Sequence, residues 1–186
     1  MNFFFSLAYS FTDSKFGISA MSVNKFYELT YDQLEQKTEE LYNKIEQDNF
    51  VPDTILAVAR GGWFPARILS DIYSSKDIPV DIVSITTKFY TTIGKTKSRP
   101  ILLQQLNQSL FDQRILIVDD VSDSGTTLKF VKGYAEYMGS RYTKIACPFM
   151  IPGTKIIPDY YVEEVPNDTW IIFPYETREM KSSREK

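Results

Sequence analysis

Ile115-Leu116-Ile117-Val118, running directly into Asp119, constrains this chain more than any other segment. An apolar run without alternation has no polar face, so as a strand it must be covered on both sides. Thr54-Ile55-Leu56-Ala57-Val58-Ala59 makes the same demand. Two such runs call for a sheet with helices on both faces. Segments of helical spacing supply them. Thr30-x-x-Gln33 is a capping-box pattern with Thr30 as N-cap, and Leu34, Leu41 and Ile45 follow on one face up to about Asp48. Trp63–Tyr73 sets Ala66, Leu69, Ile72 and Tyr73 on one side, and Thr126–Met138 is a third helix closed by Gly139. Val80–Thr87, Thr143–Phe149, Tyr160–Val165 and Trp170–Phe173 read as further strands, and Ile101–Leu103 as a short one. The spacing predicts an α/β fold with a mainly parallel twisted sheet flanked by helices.

What the chain can do chemically is narrowed by what it lacks. There is no histidine among its 186 residues, which excludes Ser-His, Cys-His and His-metal chemistry. The single cysteine, Cys147, excludes an internal disulfide framework and a cysteine-rich metal site, and points to the cytoplasm. A net charge of -3 argues against a nucleic-acid or membrane-surface binder, so an anionic small molecule must be held by local donors. The aromatic start, Met1 to Tyr9, has no basic residue before Phe3 and is too short to span a bilayer. Met21 opens a segment that reads like an ordinary protein start. Residues 1–20 are therefore expected to be a peripheral or mis-assigned extension, and 21–186 a single domain.

The chemistry concentrates in Val118-Asp119-Asp120-Val121-Ser122-Asp123-Ser124-Gly125-Thr126-Thr127. An apolar strand delivers two acids to its C-terminal end, a small polar turn follows, and a helix begins. Ligands of open α/β sheets bind at that end of the strands. The unpaired N–H groups of a helix start favour a phosphate without any basic side chain. Ser124, Thr126 and Thr127 add hydroxyls, and Gly125 lets the backbone approach the anion. Acids beside a phosphate make sense if the ligand also carries hydroxyls and Mg²⁺. Asp119 and Asp120 can accept from a ribose diol, and Asp120 is the candidate to serve the metal, directly or through water. The loop thus matches a ribose 5-phosphate, with Asp123, Ser124, Gly125, Thr126 and Thr127 around the phosphate. A Walker-type G-x-x-x-x-G-K-[ST] loop is absent. Farther upstream, Arg60-Gly61-Gly62 ends a strand before a helix and can hold a second anion, with Arg60 gripping two oxygens at once.

This decapeptide resembles the motif that binds 5-phosphoribosyl-1-pyrophosphate (PRPP) in type I phosphoribosyltransferases. The likeness extends over most of residues 25–177 and is greatest to the xanthine-guanine and archaeal 6-oxopurine enzymes. Val58-Ala59-Arg60-Gly61-Gly62-Trp63-Phe64-Pro65-Ala66 and Pro166-Asn167-Asp168-Thr169-Trp170-Ile171-Ile172-Phe173-Pro174-Tyr175-Glu176 carry the finer match. The resemblance implies the type I phosphoribosyltransferase fold with a small base-binding hood, Mg²⁺ as cofactor, and a homodimer or higher homo-oligomer. It implies pyrophosphate at Arg60 and Gly61, often with unusual peptide geometry at the arginine. Lys88 is expected to join them, with Lys95, Lys97 and Arg99 on a lid. Trp170 would stack on a purine, flanked by Asp168 and Ile171, and Asp123 would accept the proton at the base. Glu176 is a weaker candidate for the base's exocyclic edge or the metal region. One departure stands out: Ile151 occupies the place where 6-oxopurine enzymes usually carry a lysine, and Lys155 is out of register. Purine transfer in salvage (hypoxanthine, guanine or xanthine) is therefore expected. Transfer to adenine or a pyrimidine, and a non-catalytic PRPP-binding regulator, are the rivals.

Overall fold

A computed structural model describes residues 25–90 and 99–176 of the chain. The extension 1–20, Met21, and the basic segment with Gly94, Lys95 and Lys97 lie outside the described residues, as does the side chain of Arg99. In chain order the elements are β1 (Lys25–Glu28), α1 (Tyr31–Gln47), β2 (Thr54–Ala59), α2 (Trp63–Ser75), β3 (Asp81–Tyr90) and β4 (Arg99–Gln104). There follow β5 (Arg114–Val118), β6 (Val121–Ser122), α3 (Thr126–Tyr137), β7 (Tyr142–Met150), β8 (Tyr160–Glu164) and β9 (Thr169–Ile172).

The two apolar runs are neighbours. In the main sheet the strands lie in the order β4-β3-β2-β5-β7-β6, and β8 adds to β7. Every pairing is parallel except that of β3 with the edge strand β4. Burial on both faces is what the runs required. Ile55 and Ala57 of β2, with Leu116 and Val118 of β5, pack under Leu41, Ile45, Ala66 and Leu69 of α1 and α2. Leu56, Val58, Ile115 and Ile117 face the other way, onto Leu128, Val131 and Ala135 of α3. The Thr30 capping box is formed: Gln33 N–H donates to Thr30 Oγ1 at 3.2 Å, and Thr30 N–H donates to Gln33 Oε1 at 2.8 Å.

Two strands escape sequence reading. Lys25–Glu28 is mostly exposed and carries no strand pattern, and it is extended because it pairs in parallel with β9, Phe26 opposite Trp170. These two strands form a separate small sheet, seated on a third core of Leu29, Leu34, Phe149, Val165, Ile171 and Phe173. The second case is a correction: Val121-Ser122, expected within a polar turn, forms β6 and pairs with Phe149-Met150. Ser122 is fully buried there, its hydroxyl satisfied by Thr154 Oγ1 at 2.9 Å and the Ile156 carbonyl at 3.1 Å. Burial with good partners outweighs a local preference for turn.

Removing the α1 cap should be felt across the sheet face that α1 covers. Thr30→Ala should cost about 1 kcal/mol, roughly 2–4 °C in Tm for a chain of this size. Thermal denaturation of the two proteins side by side checks it.

Candidate functional site

The strand order creates the site. From β2 the chain crosses through α2 to β3 on one side, whereas from β5 it crosses through α3 to β7 on the other. Connections diverging from adjacent strands leave a crevice at their C-terminal ends. Arg60-Gly61 leaves β2 into that crevice, and Asp119-Asp120 leaves β5 into it.

The two loops touch. A β-carbon on Gly61 would overlap the Asp120 carboxylate, so only glycine fits this approach. The peptide joining Ala59 to Arg60 is cis, the kind of unusual geometry at the arginine that the resemblance implies. Arg60 itself is exposed at the mouth. Lys88 is also exposed; it lies two residues past Thr86, the partner of Ala59, which puts it level with the Arg60-Gly61 turn.

Beyond Asp119 a cavity of about 180 Å³ opens at the start of α3, lined by Asp119, Val121, Asp123, Ser124, Gly125 and Thr127, among others. Gly125 adopts φ of 68°, and a β-carbon there would sit 2.5 Å from Thr154 Oγ1. The backbone thus turns into α3 with no side chain on the N-cap residue itself, and the first N–H, that of Thr126, lies 3.4 Å from Ser124 Oγ. Ser124 Oγ donates to Thr126 Oγ1 at 3.3 Å. Among the sequence candidates, Asp119, Asp123, Ser124, Gly125 and Thr127 share this cavity, and Thr126 stands at its helical rim. Asp120 turns away from it toward Gly61.

The acids are electrostatically unusual. Burial pushes Asp119 well above the ordinary carboxylate range, and the neighbouring Asp120 charge adds to the rise. Burial also raises Asp120, against a hydrogen bond of 2.6 Å that Tyr175 Oη donates to its Oδ2. Loss of hydration raises Asp123, and the Ser124 N–H opposes it. Tyr175 is held by stacking between Phe64, with ring centres 4.3 Å apart, and Phe173, at 5.3 Å. Sequence reading gave Tyr175 no role; an aromatic residue far along the chain carries no local sign that it will meet Asp120.

β9 carries Trp170, partly buried, with its indole Nε1 enclosed and lacking an acceptor among the described residues. Ile171 points into the third core, so only its backbone can face a ligand. Asp168 is engaged with β1: its carbonyl accepts from Lys25 N–H at 3.1 Å, and its carboxylate lies 3.9 Å from Lys25 Nζ. Ile151 packs against the same third core, and its N–H donates to the Ser122 carbonyl at 2.9 Å. Lys155, out of register for a base, reaches Thr126 Oγ1 at 3.1 Å. Its backbone N–H donates to the Ser124 carbonyl at 3.1 Å.

Known proteins share this fold. Residues 30–179 match the phosphoribosyl transferase domain family. The xanthine-guanine phosphoribosyltransferase of Gluconobacter oxydans is 31% identical over 149 residues, which cover 80% of this chain and 83% of that protein. The crystal structure of a purine phosphoribosyltransferase from Pyrococcus horikoshii superposes with a TM-score of 0.69 at 38% identity, covering 81% of this chain and 93% of that one. The xanthine-guanine-hypoxanthine phosphoribosyltransferase of Helicobacter pylori shares the fold at a TM-score of 0.69 and 22% identity, covering 87% of this chain and 99% of that one.

The raised acids have a stability consequence. A carboxyl whose folded pKa is raised contributes stability that is whole below its unfolded pKa, near 3.9, and lost as pH climbs through the folded value. Above that unfolded value Asp119 therefore weakens the fold relative to a neutral side chain of the same shape. Asp119→Asn should raise Tm at pH 8, and the gain should vanish below about pH 4. Melting curves of both proteins across this range, in EDTA and without ligand, test it; a gain independent of pH would refute it.

Proposed function

The chain belongs to the phosphoribosyl transferase domain family, and from that premise we propose that it transfers the 5-phosphoribosyl group of PRPP to hypoxanthine, guanine or xanthine, releasing pyrophosphate. As an enzyme it is a purine phosphoribosyltransferase, a glycosyltransferase. The observation that carries the finer reading is order across one crevice. A phosphate cradle at the start of α3, acids at the end of β5 and a glycine-arginine turn at the end of β2 follow one another. PRPP has its 5′-phosphate, ribose and pyrophosphate in the same order.

In this reading Asp119 accepts from the ribose hydroxyls, and Asp120, held by Tyr175, backs it. Arg60, the Gly61 backbone and Lys88 receive the pyrophosphate. The bond from C1 to the pyrophosphate oxygen breaks with its electron pair leaving on oxygen, and a purine ring nitrogen bonds to C1. Asp123 takes the proton from that nitrogen; the raised pKa of its carboxyl suits a general base. Trp170 stacks on the base, with the Asp168 and Ile171 backbones at its edge. Asp119 and Asp120 offer hard carboxylate oxygens, and no group of three or more acids, cysteines or histidines gathers among the described residues. That donor set fits Mg²⁺ carried largely by the substrate's own oxygens, with Asp120 as the protein contribution. The ion would supply charge neutralisation on the leaving pyrophosphate. The same reading places the enzyme in cytoplasmic purine salvage, as a homodimer or higher homo-oligomer, with residues 21–186 as one domain.

Pyrophosphate release from PRPP and Mg²⁺ with a panel of bases tests the activity. Release with 6-oxopurines is expected, with Asp123→Ala slower by on the order of 10²-fold. PRPP binding without release for any base would instead make the protein a regulator. Full turnover in Asp123→Ala would remove that residue from the chemistry.

Base choice depends on position 151, where the apolar side chain belongs to the third core and offers no donor. Ile151→Lys should improve kcat/KM for 6-oxopurines over adenine on the order of 10-fold, the worth of one hydrogen bond from a charged donor. Competition assays with paired bases measure the ratio.

A further inference from the structure

We infer that Lys155 is a specificity-determining residue for the 5′-phosphate, completing from the β7–β8 connection the cradle at the start of α3. The inference rests on the reading above that a phosphate occupies that cradle.

The charge balance of the loop motivates it. Between Asp119 and Thr127 the side chains are three acids, hydroxyls, one valine and a glycine, with no cation. A phosphate monoester brings about −1.5 to −2 charges at neutral pH, and a helix start supplies roughly half a positive charge. A compensating side chain has to come from elsewhere in the fold.

The geometry singles out one. Lys155 Nζ lies 3.1 Å from Thr126 Oγ1, at the first residue of α3. Its backbone is not free to wander, because its N–H donates to the Ser124 carbonyl at 3.1 Å. On one side of it Thr154 bonds Ser122 Oγ at 2.9 Å, and on the other the Ile156 carbonyl accepts from that hydroxyl at 3.1 Å. The turn is pressed onto Gly125, where a β-carbon would lie 2.5 Å from Thr154 Oγ1 and 2.8 Å from Ile156 N. Cradle and turn therefore form one unit, and the lysine need only order its own side chain to reach a phosphate oxygen. The segment has no cation at residue 151 and carries one four residues later, over the phosphate instead of the base. Recognition of the ligand's anionic end then depends on a side chain that the loop itself does not contain.

Binding of ribose 5-phosphate and of pyrophosphate, each alone and without metal, separates the two anion sites by calorimetry. Lys155→Met should weaken ribose 5-phosphate on the order of 10-fold and leave pyrophosphate unchanged. In turnover it should raise KM for PRPP by a similar factor with kcat within about twofold, the mark of lost uniform binding. Lys155→Arg should retain most of the affinity. Lys129→Met, the same charge change farther along α3, should match the native protein. Native-like binding by Lys155→Met, an equal loss of pyrophosphate, or an equal effect of Lys129→Met overturns the inference while leaving the proposed reaction intact. Failure of the native protein to bind ribose 5-phosphate overturns both.

Discussion

Two adjacent, half-buried carboxyl groups stand at the end of β5, and the neighbouring elements are arranged around them. Desolvation raises both, and the Asp120 charge pushes Asp119 higher still, whereas hydrogen bonds from Tyr175 and Asp119 hold Asp120 down. Asp120 is kept in place by a hydroxyl from Tyr175, which is fixed between two aromatic rings. Phe64, one of those rings, is the second residue of α2, so the helix that follows the Arg60-Gly61 turn helps to orient an acid on the next strand. Gly61 must lack a side chain for the two loops to meet. Pre-organised but electrostatically costly groups are what a site uses to favour a ligand rich in hydroxyls and developing positive charge.

The sheet was legible in the residues because β2 and β5 have no polar face to hide. A two-sided apolar strand leaves few architectures open, and the Thr30 capping box and the glycine after α3 marked their helix ends chemically. The strand-loop-helix cradle was legible for a related reason: acids, glycine and hydroxyls had to be read together to make sense. What escaped detection depends on long-range pairing. Lys25–Glu28 is a strand only because β9 lies beside it, and Val121-Ser122 only because β7 does. Neither has a pattern of its own.

The base side was harder for the same reason. Ile151 could be recognised as an odd residue, yet its destination in the third core followed only from the packing of Phe149, Val165 and Phe173 around it. Ile171 breaks the alternation a strand would suggest: it and Ile172 are both buried, so Ile171 can offer only backbone. Lys155 is out of register for the base, and only the packing of the β7–β8 turn against Gly125 brings its amine within 3.1 Å of Thr126 Oγ1.

The small sheet joins β1 to β9, the first and last strands of the described chain. Closing so wide a loop costs more entropy than pairing β2 with β3 or β5 with β7, and it brings in return only a few ladder bonds and a modest apolar patch. By that balance the strand bearing Trp170 is expected to be less protected against local opening than β2 or β5. A chain opened there would keep the proposed phosphate cradle, since β5 and β7 belong to the other sheet. It would grip the anionic end of a ligand while having no wall against which a flat ring could rest.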